Sequence, residues 1–212
     1  MKRRDFSAGL LAASTLGLAP CAQAQKRPDD GIDYRTLGQR APVDSPPGKI
    51  EVIEFFWYSC PHCNVFEPAL EAWSRKLPAD VVLRRAPVAF RDDFVPQQRL
   101  YYVLEAMGRM DLHGKVFQTV HGERQPTNRE DTILAWAQKN GLDRVKFQEL
   151  YGSFSVSAKT RRAVQLQEAY QVQGVPSLGV AGRYYTDGQL AGNMNRALEV
   201  VDYLVAQARS TR

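Results

Sequence analysis

An apolar run with a single charge, Val52-Ile53-Glu54-Phe55-Phe56-Trp57-Tyr58, leads almost directly into Cys60-Pro61-His62-Cys63. The run lacks the alternation of a strand wetted on one face. It therefore predicts a central strand over Lys49–Trp57, buried on both faces. Pro61 follows at the first helical position, where a missing N–H costs nothing. Phe66, Leu70, Trp73 and Leu77 then recur at i, i+4, i+7 and i+11, the buried face of a helix that Pro68 should kink. A bare C-x-x-C is a weak signal. A buried strand before it, Pro61 within it and Val175-Pro176 far downstream make it specific. Two thiols in the first turn of a helix form a redox dithiol, because the unpaired N–H groups and positive dipole end there favour a thiolate.

The cysteine count supports a redox role once the leader is set aside. Lys2, Arg3 and Arg4 are followed by an apolar stretch from Phe6 to Ala19, too short to span a bilayer, and by Ala22-Gln23-Ala24. This reads as a secretory signal over residues 1–24 and implies export to an oxidising compartment. Arg3-Arg4-Asp5-Phe6 is also compatible with twin-arginine export. Cleavage removes three bases and one acid from the formal charge of +5, leaving +3, too small and scattered for a nucleic-acid footprint. It also discards Cys21, so Cys60 and Cys63 alone remain. A bridge closing so short a loop staples little of a fold, so the Cys60–Cys63 disulfide reads as catalytic. No second C-x-x-C or H-x-x-x-H completes a metal site, C-x-x-C-H is broken by Asn64, and no cofactor is implied.

The rest of the chain is ordered as follows. Residues 25–48 are an extended lead-in with a short strand near Tyr34–Leu37. Val81–Val88 is a second strand, ended by Pro87 and Arg91-Asp92-Asp93. From Pro96 the period is helical: Leu100, Val103, Leu104 and Met107 mark one helix. Thr127-x-x-Glu130 reads as a capping box before Ile133, Leu134, Trp136 and Ala137, with Gly141 closing that helix. Asp143–Tyr151 and Ser155–Gln173 follow. Strand signals return at Ser177–Val180 and Arg183–Thr186 around Ala181-Gly182, and Asn193 caps a last helix carrying Ala197, Leu198, Val201, Leu204, Val205 and Ala208 on one face. The expectation is an α/β chain, a thioredoxin-like fold with an inserted helical domain. Its parts are 25–95 (thioredoxin-like, first part), 96–172 (inserted helices) and 173–212 (thioredoxin-like, second part).

Phe55-Phe56-Trp57-Tyr58-Ser59-Cys60-Pro61-His62-Cys63 with Phe66-Glu67 resembles the active-site segment of the DsbA family of bacterial periplasmic thiol:disulfide oxidoreductases. Gly174-Val175-Pro176-Ser177 resembles that family's cis-proline loop. The resemblance covers nearly the whole chain after the leader in element order, although the helical block matches only in size and placement. It implies a protein dithiol oxidase, a monomer that donates its disulfide to reduced exported proteins and is recycled by a membrane quinone reductase of the DsbB type.

Beside that resemblance, the residues carry their own reading. Cys60, at the helix start, is the thiolate exchanged with substrate; Cys63, one turn deeper, is the partner that leaves and returns. Pro61 and His62 lie between them, and His62 offers a donor or a positive charge. Glu54 is expensive to bury unpaired, which makes it a proton relay for Cys63, an ion-pair partner of Lys49 or Arg84, or a strand-end residue facing solvent. Glu67 is a second acid in a family-like position. Val175 and Pro176, with His62, would bind substrate, the loop offering backbone groups to an extended peptide. His113 and His121, beside glycines, are expected to be exposed, and Trp57 and Tyr58 either edge a substrate groove or pack in the core. The competing functions are a disulfide isomerase or reductase and a chaperone-like binder of exported chains. An isomerase would need an N-terminal dimerisation domain, and a thioredoxin-type reductant would carry Gly-Pro in place of Pro61-His62.

Overall fold

The computed structural model describes residues 27–211. The expected leader, with Cys21 and its cleavage site, lies outside the described residues. Five strands form one sheet: β1 (Arg35–Thr36), β2 (Ile50–Phe56), β3 (Val81–Pro87), β4 (Ser177–Val180) and β5 (Tyr184–Asp187), in the order β1-β5-β4-β2-β3. β2 runs parallel to β3 and antiparallel to β4, and every one of its residues is buried. That is the environment its unbroken apolar pattern demands.

The helices are α1 (Pro61–Ser74), α2 (Val95–Ala106), α3 (His113–Phe117), α4 (Glu130–Lys139), α5 (Arg144–Gly152), α6 (Phe154–Ala169) and α7 (Met194–Ser210). α1 connects β2 to β3 and continues through Pro68. α2 to α6 all fall between β3 and β4, so the sheet is interrupted once by a helical block.

Alternation along β2 divides the core. Ile50 and Val52 join Phe66 and Leu70 of α1 and the apolar face of α7, where Leu198, Val201 and Leu204 are buried. Ile53 and Phe55 belong to the larger cluster shared with the helical block, and Phe55 meets Tyr170 at 5.2 Å between ring centroids. That ring leaves no room beside β4: a Cβ on Gly179 would lie 2.2 Å from Tyr170 Cε1.

The turn between β4 and β5 closes through Arg183 N–H to Val180 O at 2.9 Å. Ala181 (φ 53°) and Gly182 (φ 66°) are both left-handed, as in the tight turns that suit the twist of a hairpin. A Cβ at Gly182 would also meet Ala41 O at 2.4 Å.

Two local expectations are corrected. The helix after Thr127 begins at Glu130 with Arg129 as its N-cap, and the Thr132 hydroxyl accepts from Arg129 N–H at 3.4 Å. Thr127 instead turns inward, 2% exposed, with its hydroxyl 3.4 Å from Gln97 Nε2. The S/T-x-x-E pattern fitted a helix start two residues too early. His113 is not exposed either: it is 4% exposed and sits among aromatic rings. Its glycine neighbour misdirected the reading, because burial here is set by α3 lying against the residues after β2.

Candidate active site

Cys60 is the N-cap of α1 and Pro61 is its first residue. The cap position leaves the Cys60 side chain beside the open N–H groups of the first turn. Its sulfur lies 3.4 Å from the Val175 carbonyl, across a Val175–Pro176 peptide that is cis. Pro176 is buried, whereas His62 is exposed. His62, Gly174, Val175, Pro176 and Met194 line a groove of about 430 Å³, and Cys60, itself only 7% exposed, reaches it through the Val175 carbonyl.

The two thiols are in opposite electrostatic states. The Cys60 pKa is lowered to about 6. The hydrogen bond from the Cys63 thiol is the largest cause; burial opposes it, and the N–H groups of Cys63 and His62 and the His62 charge add to it. Cys63 is fully buried, and its thiol is pushed far up by burial, then by the hydrogen bond to Cys60 and by the charges of Cys60 and Glu54. One sulfur is therefore prepared to ionise and the other to hold its proton.

Beneath Cys63 lies a charge cluster. Glu54 (β2) is fully buried and faces Arg85 of β3, its register partner. Arg85 donates through Nε to Glu54 Oε2 at 3.1 Å and through Nη2 to Glu67 Oε1 at 2.7 Å and Glu71 Oε1 at 2.6 Å. One guanidinium thus serves three carboxylates, two of them nearly dry, and the Oε1 of Glu54 and Oε2 of Glu67 have no partner. Burial first, and then the Glu67 charge, raise the Glu54 pKa to about 8 against the opposing pull of Arg85. Lys49 and Arg84 are not its partners. Arg84 points to the other face, toward Glu51 at 3.7 Å, and Lys49 donates to the Ala79 carbonyl.

The helical block reaches the same centre. Gln97 of α2 accepts from Ser59 N–H at 3.2 Å and donates to Ser59 Oγ at 2.8 Å, holding the residue before Cys60. His121 Nε2 lies 2.8 Å from the Tyr58 carbonyl. Tyr58 is fully buried, which removes it from any groove, whereas Trp57 stacks on Phe94 with centroids 3.9 Å apart and stays half-buried.

Sequence reading brought forward Cys60, Pro61, His62, Cys63, Glu54, Glu67, Val175 and Pro176, and the fold gathers all of them around the start of α1. It missed Arg85, Glu71, Gln97 and the inward role of His113. Arg85 had a signal: aligning the apolar starts of the two strands, Ile50 with Val81, sets Glu54 opposite Arg85. Nothing local marked Gln97 or His113, which are brought in by packing of the inserted helices.

The chain matches the model of the DSBA-like thioredoxin domain over residues 51–199. It is 45% identical over 207 residues to the thiol:disulfide interchange protein DsbA of Bordetella parapertussis, covering 97% of this chain and 96% of that protein. It is 39% identical over 214 residues to the protein of the same name from Pseudomonas aeruginosa, covering 99% and 98%. The crystal structure of Pseudomonas aeruginosa DsbA superposes with a TM-score of 0.81 at 38% identity, covering 85% of this chain and 94% of that one.

Proposed function

This chain belongs to the DSBA-like thioredoxin domain family and is a thiol:disulfide oxidoreductase of thioredoxin-like fold with a helical insertion; from that premise we propose a role for each residue of its site. Cys60 exchanges with substrate, Cys63 leaves and returns, and Glu54 carries the proton. The observation that carries this reading is the contrast between the two sulfurs. Cys60 lies at the helix start against the Val175 carbonyl and beside an open groove, and Cys63 is sealed behind it over Glu54.

In the oxidised protein a substrate thiolate attacks Cys60 Sγ and the Cys60–Cys63 bond breaks. Cys63 leaves with the electron pair and takes a proton from Glu54, because a sulfur so deeply buried is a poor thiolate. The substrate's second thiolate then attacks its own sulfur in the mixed disulfide, and Cys60 departs as a stabilised thiolate. Glu54 then recovers a proton from solvent, so that of the substrate's two protons one is balanced in the protein and one is released; the substrate gains a disulfide and the protein gains two electrons. His62 supports the Cys60 thiolate, Pro61 starts the helix, and Val175 and Pro176 present backbone to an extended substrate strand.

In the same reading the chain acts in the periplasm after loss of residues 1–24, on reduced exported proteins. A membrane quinone reductase of the DsbB type recycles it, and it works as a monomer. Among the described residues no helix is long and apolar enough to cross a membrane. The parts 25–95 and 173–212 form the redox unit, and 96–172 the inserted one.

Single-cysteine variants test the roles. Cys63→Ser should accumulate mixed disulfides through Cys60 on non-reducing gels, and Cys60→Ser should accumulate none. Adducts on Cys63 in the Cys60→Ser variant would reverse the assignment. Undiminished protection of an unfolding client by a variant carrying both Cys60→Ser and Cys63→Ser, without any dithiol oxidation by the native protein, would favour a binder instead.

A further inference from the structure

His113 has no part in the exchange described above, yet it is buried against the charge cluster. It opens α3, in the helical block, and its ring sits among Phe56, Tyr58, Tyr101 and Phe117 at 5.2, 5.2, 5.8 and 5.3 Å between centroids. Nδ1 lies 2.7 Å from the Tyr58 hydroxyl and Nε2 lies 3.4 Å from Glu67 Oε1.

The tautomer follows from these contacts. Burial holds the Tyr58 phenol protonated, so it is available as a donor to Nδ1. A neutral imidazole accepting at Nδ1 carries its proton on Nε2, and that N–H faces the Glu67 carboxylate. The opposite tautomer would set a nitrogen lone pair against a carboxylate oxygen and leave the Tyr58 proton without its acceptor. Burial lowers the His113 pKa, which keeps the ring neutral. At 3.4 Å the contact falls short of hydrogen-bond geometry and Nε2 has no other hydrogen-bond partner, so the N–H acts on Glu67 electrostatically, through dry surroundings.

The cluster must choose where to keep a proton. Glu54 is faced by Arg85 from β3, by Glu67, Glu71 and Cys63 from α1, by Tyr58 after its own strand and by Tyr101 from α2. Arg85 is the single cation there, and two nearly dry carboxylates beside it do not both ionise readily. Each acid keeps one bare oxygen, but Glu67 has Arg85 at 2.7 Å and His113 Nε2 at 3.4 Å, whereas Glu54 has Arg85 alone, at 3.1 Å. We propose that His113 is a positioning residue: by aiming Nε2–H at Glu67 it settles the shared proton on Glu54, where Cys63 can use it. This rests on the reading of Glu54 as the proton carrier. The directions of the two acids agree with it: burial raises Glu67 but the contact toward His113 and the Arg85 charge bring it down overall, while Glu54 is raised.

Three measurements test the proposal. In the native reduced protein, ring-nitrogen NMR should show His113 as the neutral Nε2–H tautomer across neutral pH; an Nδ1–H ring would overturn the proposal without any variant. In protein labelled at the glutamate carboxyl carbon, His113→Phe should lower the Glu54 midpoint by about one pH unit, the size of one lost charge-directed contact. His113→Gln, which returns an N–H near Nε2, should restore the native midpoint. An unmoved midpoint in a folded His113→Phe, or equal shifts in both variants, would overturn it. The relay itself is judged separately: if Glu54→Gln leaves the pH profile of dithiol oxidation unchanged, the relay fails, while the carboxyl titration still reports whether His113 places the proton.

Discussion

Replacing Cys63 by alanine and by serine isolates the contact that does most to lower the Cys60 pKa. With that pKa at about 6, Cys60 is ionised to about nine-tenths at neutral pH. The largest cause is the donor on residue 63; the first-turn N–H groups and His62 follow. A hydrogen bond to a charged group contributes about 1.5–3 kcal/mol, which corresponds to ~1–2 pKa units. Cys63→Ser keeps a donor and should leave the Cys60 midpoint near its native value. Cys63→Ala removes the donor and should move the midpoint to ~7–8, leaving only ~0.1–0.5 of Cys60 ionised at neutral pH. Neither variant can form the internal disulfide, so in protein made without residues 1–24 iodoacetamide alkylation reads Cys60 alone, and rates should be followed from about pH 4 to about pH 9. At neutral pH the alanine variant should react ~2–10-fold more slowly than the serine variant. Coincident midpoints near the native value would assign the effect to the helix end and His62, and the role given to the Cys63 donor would be refuted.

Redox state should set stability with an unusual sign. The depressed Cys60 pKa contributes stability to the reduced form that is fully present above the unfolded value of ~8.5 and lost as pH falls through about 6. At neutral pH this amounts to ~1.4 kcal/mol in favour of the reduced form, fading on acidification; above ~8.5 the raised Cys63 pKa works the other way. Urea unfolding of both forms checks it, and an oxidised form that gains no relative stability on acidification would contradict it. Arg85→Met should cost about 3–5 kcal/mol at neutral pH by stranding buried carboxylates. That cost should shrink as acid protonates them, which thermal melts at two pH values will show. Gly179→Ala should cost about 1–3 kcal/mol, because its Cβ meets Tyr170 at 2.2 Å and Ile53 at 2.8 Å. An unchanged melting temperature would mean that Tyr170 yields freely.

The elements were legible wherever one periodicity ran long enough. β2, α1 and α7 were marked by apolar pattern, Pro61 and the Asn193 cap, whose side chain does accept from Arg196 N–H at 2.9 Å. The redox site was legible because its chemistry is compressed into four consecutive residues and one Val-Pro. Its support was not, because that depends on register and docking. Glu54 showed as a charge in an apolar strand, but its partner was sought in Lys49 or Arg84, and Arg85 emerges only when β2 and β3 are aligned. Alternation then sends the two arginines to opposite faces, one to Glu51 and one to the acids under Cys63. His113 and Thr127 failed for a shared reason: local glycine and capping patterns describe chain conformation and carry no information about which helix lies on top.

The sheet order has a consequence for the order in which the chain can assemble. β2 takes one neighbour, β3, from close by in the sequence, and the other, β4, only after all five helices of the insertion. A chain folding as it emerges from its N-terminus can pair β2 with β3 and build helices from local contacts, but Val52 waits for Val180. During that interval β2 presents an unpaired edge, the surface that templates association with other chains. The reactive pair is already in place then, while Val175 and Pro176, which later flank Cys60, have yet to arrive. The dithiol thus precedes its own substrate-binding loop along the chain, and a chain stopped short of Val175 would carry the reactive pair without the backbone that receives a substrate.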